Sequence, residues 1–381
     1  MKLVLLLTGI LGLGASQVAA QSATAMQKRI EEIRLNYAPD ARVAVFQVVA
    51  DDSGVLTGKT NLPNAHEELI KHLRQEDVKF DDRIELLPAA SLGGKVFGAV
   101  TISVANMRTK PGHSSEMSTQ ALLGTELKVW DKEGDWYLVQ TPDNYLGWMD
   151  AGGFYRMDLA EFERWKQAPK VIVTAPYTFS HRKPETDALP VSDLVAGDIV
   201  KLKESVGDYF WVEYPEGKAA YVSKKDSDRY DRWLSKLAPT NETIVSTALK
   251  MMGIPYLWGG TSFKGMDCSG FTKTVFFLNG QVLARDASQQ VHTGEPIEGP
   301  GFAKLEKGDL LFFGSPATES SGEKVTHVGI WIGNNQFIHA SGQIRIGSVD
   351  PDSVEYDAFN TGRFLRARRM LGSSNGIRNL K

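Results

Sequence analysis

The segment GTELKVWDKEGDWYLVQTPDNYLGWM, from Gly124 to Met149, recurs 73 positions later as GDIVKLKESVGDYFWVEYPEGKAAYV, from Gly197 to Val222. Six identities fall in register: Gly124/Gly197, Lys128/Lys201, Gly134/Gly207, Asp135/Asp208, Val139/Val212 and Pro142/Pro215, with Trp148 matched by Tyr221. Each copy alternates apolar and polar residues around turn dipeptides, as short antiparallel strands with one buried face do. A unit that occurs twice is a fold module in its own right, so the repeat predicts two tandem all-β modules, over 96–157 and 168–228. The copies diverge at one loop. Tyr145 in the first stands where Lys218 stands in the second, and HSSEMSTQ with Glu116 precedes the first copy. Taken alone, such divergence reads as drift on an exposed loop.

The amino terminus, MKLVLLLTGILGLGASQVAA, carries one lysine, an apolar run and small residues at Val18 and Ala20. This pattern predicts a secretory leader over 1–20, cleaved after Ala20. No later segment approaches the roughly 18 apolar residues of a membrane span. A periplasmic or secreted protein is therefore expected, without a lipid anchor, since no cysteine lies near residue 20. With 43 basic and 46 acidic residues there is no strong field to attract nucleic acid. The basic run RFLRARRM from Arg363 reads as a solvated edge strand carrying protective charges. Residues 21–95 form a mixed segment with no chemical signature. Met26, Ile30, Ile33 and Tyr37 recur at helical spacing, ARVAVFQVVA reads as a buried strand, and a second helix is expected to open at Asn64.

A last domain is expected over 240–372. It opens with a helix capped by Asn241, with Ile244, Ala248 and Met251 on one face and Gly253 and Pro255 at its end. It contains the single cysteine of the 381-residue chain, Cys268, which in an oxidising compartment has no intramolecular partner. Asp267 is a good helix N-cap, and Phe271, Val275 and Leu278 form an apolar stripe beyond it. Cys268 thus lies in a first turn, where the helix dipole favours the thiolate. A buried packing role is the alternative.

Of the seven histidines, His66, His72, His113, His181 and His292 have no motif around them. His327 and His339 lie in VTHVGIWIGNNQFIHAS, which reads as a hairpin. A three-residue loop at Gly333–Asn335 sets His339 opposite Gly329 and diagonal to His327, on one face. One imidazole could then take the thiol proton while the second orients it. The same pair could bind a metal with Cys268, or be two satisfied core histidines.

Five stretches in order, PYLWGG (255–260), DCSGF (267–271), KGDLLFF (307–313), HVGIWIG (327–333) and FIHAS (337–341), resemble the NlpC-type cysteine peptidases that cut peptidoglycan stem peptides. The repeated modules resemble the bacterial SH3-like domains of cell-wall proteins, with ANMRTKP as an opening strand. The resemblance implies an α+β chain: a papain-like catalytic domain preceded by two SH3-like barrels and a short mixed segment. It makes Cys268 the nucleophile, His327 the base, His339 the orienting residue and Tyr256 a partner of the oxyanion. The tandem barrels resemble those of the dipeptidyl-peptidase VI type, which hydrolyse the bond between D-glutamate and an L-diamino acid in peptides starting with L-alanine. In that subgroup Glu116 and Tyr145 would recognise the free amino terminus, with Asp267, Ser269 and Ser288 contributing and Asp267 adding negative charge. Stem peptides are the implied partner, and no metal or cofactor is needed. Two alternatives stay open: an endopeptidase on intact, glycan-linked peptidoglycan, and an inactive wall-binding protein.

Overall fold

The computed structural model describes residues 10–299 and 301–381, with side chains from residue 24 onward; residues 1–9 of the expected leader lie outside the described residues. No helix among the described residues is long and apolar enough to cross a membrane.

The first layer joins the helix Ile10–Tyr37 to a three-stranded sheet. Phe46–Ala50 pairs antiparallel with Val55–Thr60, which pairs parallel with Asp81–Leu86. A parallel pair needs a crossover, and the helix Pro63–Gln75 supplies it, opening one residue before the expected Asn64 with proline in its first turn. Met26, Ile30 and Ile33 pack on Leu56, Leu69 and Leu73 as one core. Tyr37 instead lies exposed, with its hydroxyl on Glu68.

The repeat is visible strand by strand. Glu126–Glu133, Trp136–Gln140 and Leu146–Asp150 in the first seven-stranded sheet correspond to Ile199–Val206, Tyr209–Glu213 and Ala219–Ser223 in the second, each displaced by 73 residues. The β-bulges coincide too, between Val129 and Asp131 and between Leu202 and Glu204. Gly134 and Gly207 close the equivalent hairpins at φ +58° and +51°, a conformation that costs other L-residues. Gly124 has a further reason to be glycine: a Cβ there would lie 2.0 Å from Ile199 O, where the two modules abut.

The last domain is a six-stranded antiparallel sheet in the order Glu295–Pro296, Phe364–Arg369, Leu310–Ser315, Lys324–Gly333, Gln336–Ser341, Gln343–Ser348. The helix Cys268–Leu278 packs Phe271, Val275 and Phe276 on Phe312, Val328, Ile330, Ile338 and Ala340. The preceding helix runs Asn241–Leu249, and its cap is Thr240 in a capping box with Thr243, so Asn241 is the first helical residue. The expected edge strand is not an edge. Phe364–Arg369 has neighbours on both sides, and two of its three arginines are paired, Arg369 with Asp309 and Arg366 with Glu323.

Candidate active site

Asp267 caps the nucleophile helix as its sequence position predicts, accepting the Gly270 amide at 2.7 Å. That places Cys268 in the first turn, 7 % exposed and unpaired. The ionisation differs from the dipole expectation. Burial pushes the thiol up to about 11, with the Asp267 charge as the next cause, and backbone N–H groups of Val328 and Ser269 oppose this only in part. In the free protein the sulfur is a neutral thiol, because the helix dipole acts here on a group with little water to solvate its charge. The Val328 contact also brings the strand residue next to His327 against the sulfur.

The hairpin carries both histidines on one face. Ile330 faces Ile338 and Trp331 faces Phe337, the register that sets Gly329 opposite His339. The route to it differs from a three-residue loop. Asn334 and Asn335, at φ +54° and +59°, form a two-residue turn closed by Gly333 and Gln336, and a bulge between Trp331 and Gly333 restores the odd offset. His327 Nε2 then lies 2.8 Å from His339 Nδ1. Beyond it, His339 Nε2 faces Asp357 Oδ2 at 3.6 Å. Burial holds both imidazoles neutral, pushing His327 down to about 3 with His339 as a second cause, and His339 down to about 4 despite the opposing Asp357.

Tyr256 bridges to Met266, two residues before the cysteine, and its hydroxyl is pushed up to about 12 by burial and then by the nearby Cys268. It is therefore a neutral hydrogen-bond donor. Asp267 is neutralised from within. Arg285, 1 % exposed, donates to Asp267 Oδ2 at 2.5 Å and Oδ1 at 3.1 Å, to Ser269 Oγ at 3.0 Å and to Thr119 Oγ1 of the first barrel at 2.7 Å. The net negative charge expected of Asp267 is thus offset. Arg285 and Asp267 form a structural pair at the helix start.

Two further contacts of the first barrel with this domain involve candidate residues. Tyr145, 5 % exposed, donates its hydroxyl to Asp286 Oδ2 at 3.0 Å, and Trp258 Nε1 donates to the exposed Glu116 at 2.8 Å. Ser288 lies two residues beyond Asp286 and accepts from Arg42 at 2.9 Å. The structure so places the candidate residues in five groups: Cys268 with Tyr256 and the Val328 amide near the sulfur; His327, next to Val328, on His339 and through it toward Asp357; Asp267 and Ser269 on Arg285; Tyr145 and Ser288 on the Asp286–Arg42 pair; and Glu116 on Trp258. Sequence reasoning missed Asp357, Arg285, Asp286 and Arg42. The adjacent charges Arg285 and Asp286 in an otherwise buried stretch were the one local signal among them. A cavity of about 610 Å³ lies elsewhere, lined by Glu126, Lys170, Tyr230, Phe277 and Arg378, and contains neither Cys268 nor His327.

Comparisons with known proteins agree with this architecture. Residues 253–363 match the NlpC/P60 family and residues 103–154 match the bacterial SH3 domain. The chain is 32% identical over 272 residues to a gamma-D-glutamyl-L-lysine dipeptidyl-peptidase of Bacillus cereus, covering 68% of this chain and 77% of that protein. It is 27% identical over 273 residues to dipeptidyl-peptidase 6 of Lysinibacillus sphaericus, covering 68% and 93%. Among solved structures it is similar to an NlpC/P60 family protein from Bacillus cereus, with TM-score 0.61 and 26% identity over 72% of this chain and 99% of that one. On the domain match, the identity and the nucleophile-helix and hairpin geometry together, the chain belongs to the NlpC/P60 family of cysteine peptidases.

Proposed function

We propose that this protein is an exported γ-D-glutamyl-L-diamino acid endopeptidase that trims muropeptides with a free amino-terminal L-alanine, releasing L-Ala-D-Glu. His327 takes the Cys268 proton as the sulfur attacks the γ-glutamyl carbonyl carbon. Tyr256 and the Cys268 amide hold the oxyanion. The imidazolium then returns its proton to the departing amine as the C–N bond breaks, leaving a thioester. Water, deprotonated by the same imidazole, opens the thioester and regenerates the thiol.

The observation that carries the reading is the hydroxyl of Tyr145 on Asp286, because it sets a side chain of the first barrel against the catalytic domain beside Ser288. A module standing across one end of a cleft turns an endopeptidase into an enzyme that counts residues from the peptide end. Glu116 and Asp286 carry the negative charge that an ammonium group needs, Asp267 being offset by Arg285. The relatives named for γ-D-glutamyl-L-lysine cleavage support the bond type.

The test is a comparison of L-Ala-γ-D-Glu-L-Lys with its N-acetylated form. Preference for the free amine by about a hundredfold in kcat/KM is expected, as for a site whose polar groups lose their partner. Equal cleavage of both would favour an enzyme of glycan-linked peptidoglycan instead.

A further inference from the structure

The mixed amino-terminal segment reaches the catalytic domain through two side chains, Asp40 and Arg42. Arg42 lies between the helix Ile10–Tyr37 and the strand Phe46–Ala50. Its Nε and Nη2 grip the two carboxylate oxygens of Asp40 at 2.8 Å each, and its Nη1 donates to Asp286 Oδ2 at 2.7 Å and Ser288 Oγ at 2.9 Å. The arrangement is braced on both sides. Gln289 Nε2 donates to Asp40 Oδ2 at 2.7 Å, and the Arg42 carbonyl accepts the Leu146 amide at 2.7 Å, next to Tyr145.

One oxygen, Asp286 Oδ2, therefore receives both the Tyr145 hydroxyl and the Arg42 guanidinium. Three parts of the chain meet on it, and the two donors fix how the carboxylate is turned. The charges do not cancel: Asp40, Asp286 and Asp267 against Arg42 and Arg285, whose Nη1 lies 3.9 Å from Asp286 Oδ1, leave one negative charge, so the guanidinium of Arg42 does not remove the attraction for a cation. Because Ser288 Oγ accepts from Arg42, its own proton is left to be donated elsewhere.

We propose that Arg42 is a positioning residue for recognition of the peptide's amino terminus, its planar fork holding the Asp286 carboxylate and the Ser288 hydroxyl in the orientation in which they, with Tyr145, meet the free ammonium end. This rests on the function proposed above. It gives the amino-terminal segment a role in specificity as well as packing. A lysine could keep the charge but not four directed bonds from one rigid plane.

The experiment is steady-state kinetics of the full chain, Arg42→Ala and Arg42→Lys on L-Ala-γ-D-Glu-L-Lys and its N-acetylated form, with melting temperatures recorded in parallel. Both variants are expected to raise KM for the free peptide about tenfold with kcat within about twofold, leaving the acetylated peptide unchanged. The preference for the free amine then falls by the same factor. An unchanged preference in Arg42→Ala, an equal loss on both peptides, or full restoration by Arg42→Lys would overturn the role of Arg42 alone. A wild-type protein that cuts both peptides alike overturns the function on which it rests.

Discussion

His327 and His339 meet edge to face across the hairpin, ring planes 75° apart, with Nε2 of one 2.8 Å from Nδ1 of the other. A proton must lie between these nitrogens, and Asp357 decides which carries it. A bare His339 Nε2 would face the Asp357 carboxylate at 3.6 Å with its lone pair, so that nitrogen holds the hydrogen. His339 Nδ1 then accepts from His327 Nε2–H, which leaves His327 Nδ1 as the basic nitrogen. Asp357→Asn weakens this preference. It is expected to lower kcat about tenfold with KM within about twofold, since the loss is in the orientation of the base rather than in binding. Steady-state kinetics on the tripeptide checks it.

The raised thiol makes a prediction of its own. With Cys268 pushed up to about 11, the free protein at neutral pH holds little thiolate. Alkylation by iodoacetamide is expected to accelerate about tenfold per pH unit from pH 6 to 9, because the thiolate is the reacting form. A rate that is already flat across that range would mean a preformed thiolate–imidazolium pair.

Acid stability follows from the same burial. The two imidazoles are held down to about 3 and 4, below the ordinary value of 6.5, so below pH 6.5 the unfolded chain binds protons that the folded one refuses. Stability is thus full above pH 6.5 and falls as pH drops from 6.5 toward 4, by about 1.4 kcal/mol per pH unit for each histidine. Melting temperatures from pH 7 to pH 4.5 should show this slope, and His339→Gln should flatten it.

Arg285 and Asp267 form a buried pair whose partners span the nucleophile helix and the first barrel. Arg285→Met leaves a buried carboxylate without a counter-charge and is expected to cost about 3–5 kcal/mol, whereas the double change Asp267→Asn with Arg285→Met should cost less than that single change. Thermal unfolding of the single and double variants measures the difference.

The hairpin shows how far sequence reasoning reached. The odd register of His327 and His339 was legible because alternation ties face to residue number, yet its cause was not: the Gly333-Asn334-Asn335 string allows either a three-residue loop or a tighter turn with a bulge. The helix start was equally legible, since a cap and an apolar stripe are local patterns. What local patterns do not carry is burial. The dipole at Cys268 could be read from Asp267, but the desolvation that outweighs it depends on strands 60 residues away. Arg42 and Asp286 lie 244 positions apart, and nothing in either neighbourhood announces the other.

The most direct test of the account is the fate of L-Ala-γ-D-Glu-L-Lys with the wild-type protein and with Cys268→Ala, followed by mass spectrometry. The wild-type protein should release L-Ala-D-Glu and L-lysine, and the variant should do so at least about 10⁴-fold more slowly at an unchanged melting temperature. Wild-type protein that leaves the tripeptide intact, or a Cys268→Ala variant that cuts it at the wild-type rate, would contradict the attack of this sulfur on the γ-glutamyl bond.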